Sequence, residues 1–192
     1  MNVYLDNAAT TPMLPEVVEA MLPYMRDHFG NPSSTHQFGR RTKTAIEQSR
    51  RQIAGQLGVE PRTVCFTSGG TESDNMALHA SVDQLGCKRI LTCATEHSAV
   101  LKTAEHLGKR DDVTCGLLQL DAAGKVDLHH LAITLSDGIP TVVSVMHGNN
   151  EVGILQDIEA IGQCCWDHNA LFHSDTVQTM GHYPMDLGNM PI

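Results

Sequence analysis

The stretch "RILTCATEHSAVLKTAEHL", Arg89 to Leu107, decides the fold class because an apolar run passes directly into a helical pattern. Its first part is short and apolar, as buried strands are, and its last part is typical of a helix. A polar link, "TEHSAV" (Thr95–Val100), joins the two. A strand followed at once by a helix is the start of a βαβ unit, so repetition of this pattern would predict an α/β fold.

The pattern repeats on both sides of this unit. Further strand-like runs are "TVCFT" (63–67), "VTCGLLQL" (113–120), "TVVSVM" (141–146) and "ALFHS" (170–174). Helical runs alternate with them: "TESDNMALHA" (71–80), "LHHLAITL" (128–135) and "IEAIGQCCW" (158–166). Strands that are apolar throughout need helices on both faces. The sequence therefore predicts an α/β fold with a mostly parallel sheet and helices on both faces.

Two helices are predicted before the alternating region. The first is an amphipathic stretch with Val18, Met21, Leu22 and Met25 at helical spacing. The second runs from about Arg40 to Leu57, with Glu47 and Arg50 on the side expected to face water. The turn-rich "GNPSSTH" (30–36) separates them.

Composition narrows the function classes. The 192 residues have 41% hydrophobic residues, enough for a real core, and a formal net charge of −9, which argues against a nucleic-acid surface. The six Cys residues lack metal-ligand spacing, so we expect free thiols in a reducing cytoplasm and no metal site. With no signal-peptide pattern or long apolar run, the sequence predicts a cytoplasmic protein without a membrane segment.

The stretch "FTSGGTES" (66–73) follows a strand-like run and opens a helical one. Two glycines allow a ligand to approach the backbone closely, and the free amides of a helix N-terminus suit a phosphate. Alternatively, Thr71 or Ser68 caps the helix and the glycines only form the turn. Sequence alone leaves both interpretations open.

Three further loops follow predicted strands, at the edge where open α/β sheets bind ligands. In "TEHSAV", His97 is either a helix cap or a flat ring for stacking on an aromatic ligand. In "MHGNNEVG" (146–153), Asn149 and Asn150 are common turn residues in a ligand-binding position. In "HSDTVQ" (173–178), Asp175 is either an N-cap or an acid that faces a protonated ring nitrogen, in which case it and Gln178 would fix the charge and orientation of a phosphorylated heterocycle.

Together these loops resemble the cysteine desulfurases, the aminotransferase class V group of pyridoxal-phosphate enzymes. The resemblance runs from "YLDNAATTP" through "GNPSSTHQFGR", "FTSGGTESDN", "TEHSAV" and "VMHGNNEVGILQDI" to "HSDTVQTMGHYPMDL". It implies a fold type I large domain that binds pyridoxal 5′-phosphate. His97 would stack on the cofactor ring, Asp175 would pair with the ring nitrogen, and Gln178 would hydrogen-bond the phenolic oxygen.

The resemblance also assigns the phosphate and substrate contacts. Gly70 and Thr71 would hold the phosphate at a helix start, and Asn150 would lie near the substrate and cofactor. The activity implied is removal of sulfur from L-cysteine, giving alanine and an enzyme persulfide for iron-sulfur cluster or thio-cofactor assembly. The partners implied are a sulfur-acceptor protein and a second copy of the chain in a homodimer.

Two residues that the family requires cannot be placed: a Schiff-base Lys in a Ser-x-His-Lys-like stretch and a persulfide Cys in a downstream loop. We therefore expect residues 1–192 to be an N-terminal segment plus most of the cofactor-binding large domain, incomplete at the C-terminus and without the small domain. Such a chain should be inactive alone. The alternatives are a non-catalytic or split subunit that needs a partner chain, and another reaction on the same fold, such as that of selenocysteine lyase or an aminotransferase.

Overall fold

A computed structural model describes residues 1–191, which form two compact units, one ending at Cys65 and one beginning at Phe66. Six helices and four strands are assigned within these residues. The helices are α1 (Pro15–Arg26), α2 (Gln37–Leu57), α3 (Gly70–Asp83), α4 (Ser98–Leu107), α5 (Leu128–Leu135) and α6 (Ile158–Asp167). The strands are β1 (Arg89–Thr92), β2 (Thr114–Leu117), β3 (Thr141–Ser144) and β4 (Leu171–His173).

The second unit is built on a parallel sheet with strand order β2-β1-β3-β4. The register pairs Thr92 with Ser144, and Ser144 with His173, so β1, β3 and β4 end level with one another. The loops that follow these three strands therefore leave the sheet side by side. This placement confirms the predicted parallel α/β architecture.

Helices cover both faces of the sheet, as the apolar strands predicted. On one face, Leu91 and Val143 belong to a buried cluster with Leu131 of α5 and Ile161 of α6. On the other face, the alternate strand residues pack against α3 and α4: Ile90 and Val142 share a cluster with Leu78, Val100, Ala104 and Leu107. Neighbouring strand residues point to opposite faces, so β1 and β3 each contribute to both cores.

One predicted strand is absent. "TVCFT" (63–67) begins at the end of a single 3₁₀ turn, Pro61–Thr63, and continues as irregular chain. The carbonyl of Val64 accepts a hydrogen bond from the Arg50 guanidinium rather than from a neighbouring strand. Arg50 is thus not on the water-facing side of α2 as predicted, because it also pairs with Glu47 at 3.4 Å and its side chain is only 22% exposed.

The first unit contains α1 and α2, whose predicted positions are confirmed to within a few residues. No residue of α1 is buried, and α2 buries only Gly39 and Ala54. A groove of about 960 Å³ lies between the two helices. It contains none of the predicted site residues, so it is separate from the chemistry considered below.

Candidate active site

The loops after β3 and β4 are joined by backbone and side-chain contacts. The amide of His147 donates to the carbonyl of Asp175 at 2.9 Å, continuing the strand pairing beyond the sheet. The His147 ring Nδ1 lies 2.9 Å from the Thr179 hydroxyl. A Cβ on Gly148 would lie 2.6 Å from the Thr179 methyl, so the two loops touch where glycine has no side chain. These contacts place Asp175 and the neighbouring Gln178 beside the loop that carries Asn150.

The loop that follows β4 also touches the start of α3. A Cβ on Gly70 would lie only 2.7 Å from Cγ2 of Val177. Gly70, predicted from its place in the glycine turn, is therefore packed against the segment between Asp175 and Gln178. The close approach explains why a residue without a side chain stands at this position.

The start of α3 lacks a side-chain cap. Gly69 occupies the N-cap position, and Thr71 lies exposed inside the first turn, so the alternative in which Thr71 caps the helix is wrong. Ser68 does not cap it either: its amide and hydroxyl both donate to the Glu72 carboxylate at 2.6 Å. The Ser68 contacts lower the pKa of Glu72. The first amides of α3 are left without an intrahelical partner, as every helix start leaves them, and can donate hydrogen bonds to an anion.

His97 caps helix α4 and is also exposed to solvent. It occupies the N-cap position of α4, where its Nδ1 accepts a hydrogen bond from the Ala99 amide at 3.2 Å. The ring is exposed nonetheless. The capping interpretation is therefore confirmed, and the bond fixes the ring's orientation while the residue stays exposed.

The two asparagines of the β3 loop behave differently. The Asn149 carbonyl oxygen accepts from the amides of Glu151 and Val152, at 2.8 and 2.7 Å, which is the turn role expected of such a residue. Its amide nitrogen donates to the Thr95 carbonyl in the His97 loop at 2.6 Å. Asn150 is exposed. With residues 94–98, the loop from Asn149 to Val152 encloses a cavity of about 330 Å³, which is at the small end of the range for ligand sites.

Asp175 is buried, with 8% of its surface exposed, at the carboxyl end of β4. Its Oδ1 accepts from the Val177 amide at 2.9 Å. Gln178, one turn further on, is half-buried. An acid held in this way at the end of a strand can pair with a ligand cation at little cost in side-chain entropy.

Two buried acids near these residues escaped the sequence analysis. Asp74 of α3 is 3% exposed, and burial, helped by the charge of Asp175, raises its pKa to about 6, although His97 acts in the opposite direction. Glu96 is 7% exposed, and burial raises its pKa to about 8, with smaller contributions from Asp175 and Asp74. The charges of His97 and Asp175 both act on Asp74, so this acid lies within electrostatic range of both sides of the site. The only sequence signal for Glu96 was an acid directly after an apolar strand.

His173 completes the buried polar group. Its Nε2 is 3.6 Å from the Asp74 carboxylate, and its Nδ1 is 2.9 Å from the Ser144 hydroxyl. Burial lowers the pKa of His173. The contact with Asp74 is therefore not a stable ion pair near neutral pH, because the imidazole is then uncharged.

Among residues 1–191, no group of three or more His, Cys, Asp or Glu residues is arranged to hold a metal ion. Within the same residues, no helix has the length and apolarity needed to cross a bilayer.

The class of protein follows from comparison with known families. Residues 3–192 match the family described as aminotransferase class-V, and the chain belongs to that family. Its relatives include a protein of Bacillus subtilis (strain 168) named putative cysteine desulfurase IscS 1. That protein is 43% identical over 194 residues, which cover 99% of this chain and 50% of the relative.

Solved structures agree with this assignment. A NifS-like protein superposes with a TM-score of 0.91 at 36% identity, over 98% of this chain and 52% of its own. SspA, solved in complex with cysteine, also gives a TM-score of 0.91, at 32% identity, over 98% of this chain and 55% of its own. The chain thus spans about half the length of the relatives it matches.

Proposed function

We propose that this chain forms the cofactor-binding part of a pyridoxal-phosphate-dependent cysteine desulfurase. The observation that carries the proposal is the position of buried Asp175, which is linked through Val177 to the uncapped start of α3. A carboxylate beside a helix N-terminus suits a ligand with a cationic ring at one end and a phosphate at the other.

The residues present fit pyridoxal 5′-phosphate. The amides of Gly70 and Thr71, with the Thr71 hydroxyl, would hold the phosphate at the start of α3, where no side chain competes for them. His97 would offer a ring face that its cap bond already orients. Asp175 would pair with the protonated ring nitrogen, Gln178 would donate to the phenolic oxygen, and Asn150 would contact the cofactor and the substrate. When bound, the cofactor supplies the electron sink for bond cleavage at the substrate carbon.

The substrate we propose is L-cysteine, with alanine as product and sulfur passed as a persulfide to an acceptor protein for iron-sulfur cluster or thio-cofactor assembly. Support comes from the names of the relatives and from the cysteine bound in SspA. We further propose that residues 1–192 comprise an N-terminal segment and most of the large domain. The whole enzyme would be a cytoplasmic homodimer.

Binding of pyridoxamine 5′-phosphate tests the cofactor assignment. This probe has no aldehyde, so it does not label surface lysines, and its affinity for the 192-residue chain can be measured by isothermal titration. Asp175→Asn keeps an acceptor for the Val177 amide but removes the charge. We expect the substitution to weaken binding roughly 10- to 100-fold, as loss of a buried charge partner does.

The matched control is Asp111→Asn, which changes an exposed acid outside the site and should leave the affinity unchanged. Failure of the parent chain to bind the probe, or equal binding by Asp175→Asn, would refute the cofactor assignment.

A further inference from the structure

Two side-chain hydrogen bonds join the loop that carries His97 to the loop that carries Asn150. Oε1 of Glu96 accepts from the Met146 amide at 2.5 Å. The Asn149 amide nitrogen donates to the Thr95 carbonyl at 2.6 Å. We call these two bonds the interloop clamp. Neither Glu96 nor Asn149 is among the residues assigned above to the cofactor.

Glu96 is an unusual member of such a clamp because it is buried and only partly satisfied. Its second oxygen, Oε2, is buried and makes no hydrogen bond within the described residues. An ionised carboxylate in this position would lose its hydration without full compensation, and would face the charges of Asp74 and Asp175. A neutral carboxyl group loses less on burial than an ionised one and still accepts the Met146 bond.

We propose that Glu96 and Asn149 are positioning residues that hold the His97 ring and Asn150 in register, and that Glu96 does so as a neutral acid. The inference rests on the proposed function, since its purpose is to keep two cofactor contacts at a fixed separation. The Ala99 bond fixes how the His97 ring is turned. The clamp fixes where the loop that carries the ring lies relative to the neighbouring loop.

For each residue of the clamp, a substitution exists that removes one property of the side chain and keeps another. Glu96→Gln keeps an oxygen for the Met146 amide and carries no charge, whereas Glu96→Ala removes the acceptor. Asn149→Asp keeps the oxygen that shapes the turn to Glu151 and Val152 but cannot donate to Thr95. Exposed Glu105 of α4 provides the control, Glu105→Gln.

Affinity for pyridoxamine 5′-phosphate is the first readout. We expect Glu96→Gln and Glu105→Gln to bind within about twofold of the parent chain, and Glu96→Ala and Asn149→Asp to bind about tenfold more weakly, the effect of losing one buried hydrogen bond. A Glu96→Gln chain that binds as weakly as Glu96→Ala would overturn the neutral-acid assignment. Parent-like binding by both Glu96→Ala and Asn149→Asp would overturn the clamp.

Hydrogen exchange at the Met146 amide is the second readout, and it needs no ligand. Exchange should be faster in Glu96→Ala and unchanged in Glu96→Gln; equal protection in both would also contradict the clamp. A parent chain that binds no probe but shows this exchange pattern would refute the proposed function and leave the clamp intact. If Glu96→Ala does not fold, parent-like binding by Asn149→Asp would overturn the clamp. Binding by Glu96→Gln that is clearly weaker than that of the parent would then overturn the neutral-acid assignment.

Discussion

Asp74 is a buried acid whose ionisation responds to the charges of Asp175 and His97, and its carboxylate lies 3.6 Å from Nε2 of His173. Burial raises its pKa from the ordinary 3.8 to about 6. Between these two values the native state binds more protons at this group than the unfolded chain does. The contribution of Asp74 to stability is therefore complete below pH 3.8 and is lost as the pH rises towards about 6.

Asp74→Asn should remove this loss of stability with rising pH. Because one pKa unit corresponds to about 1.4 kcal/mol, we expect the variant to gain roughly 1–3 kcal/mol relative to the parent as the pH rises from about 4 to about 6. Urea denaturation at several pH values measures the difference. The lowered pKa of His173 acts in the opposite direction in both proteins, so it largely cancels in the comparison.

Exposed Asp111→Asn serves as the control for this experiment and should track the parent at every pH. Parallel stability curves for Asp74→Asn and the parent would show that Asp74 does not hold a proton in the native state.

At the residue scale, the sequence predicts site residues that lie at strand ends, but not those that are buried by tertiary contacts. Asp175 and His97 could be predicted because their loops follow apolar strands at a ligand-binding edge. Asp74 lies within a helix, where an acid is usually solvated. Its burial depends on packing against segments about a hundred residues away, which no local pattern records.

At the scale of elements, the start of α3 depends on its contact with the Asp175 loop. Gly70→Ala would place a methyl group 2.7 Å from Cγ2 of Val177, so the Val177 side chain or its loop must shift. We expect a destabilisation of about 1 kcal/mol and a roughly fivefold weaker affinity for pyridoxamine 5′-phosphate, both within the usual range for overpacking. Adding Val177→Ala should restore the affinity by making room for the methyl group.

The control for this prediction is Gly55→Ala in α2, where an added Cβ meets nothing within 4 Å. That variant should bind like the parent and, as alanine suits a helix interior, should be slightly more stable. If the Gly70→Ala, Val177→Ala double variant binds no better than Gly70→Ala alone, the loop contact is not the cause.

The elements themselves were predictable wherever an apolar run has a neighbour to pair with. "RILTCAT" and "TVVSVM" became β1 and β3 because both faces are covered and both edges are paired. "TVCFT" has a similar pattern but no strand, since its Val64 carbonyl is bonded to Arg50. Periodicity reports how side chains favour burial, whereas strand formation also needs a partner for the backbone.

For the whole molecule, the decisive feature is which reactive side chains the site contains. The segments that form it are residues 66–75, 93–98, 145–152 and 174–179, and none includes a Lys. They include one thiol, Cys93. That thiol is 1% exposed, and burial raises its pKa to about 12, so it cannot act as a thiolate nucleophile near neutral pH.

We therefore expect the 192-residue chain to bind pyridoxamine 5′-phosphate but to release no sulfide from L-cysteine when loaded with pyridoxal phosphate. The desulfurase chemistry proposed here needs an amine to move a proton and an accessible thiolate to accept sulfur, and the site segments supply neither. Sulfide release is measured beside that of the full-length Bacillus subtilis relative as the reference. Turnover by the 192-residue chain approaching that of the relative would show that a Lys or Cys outside these segments reaches the site.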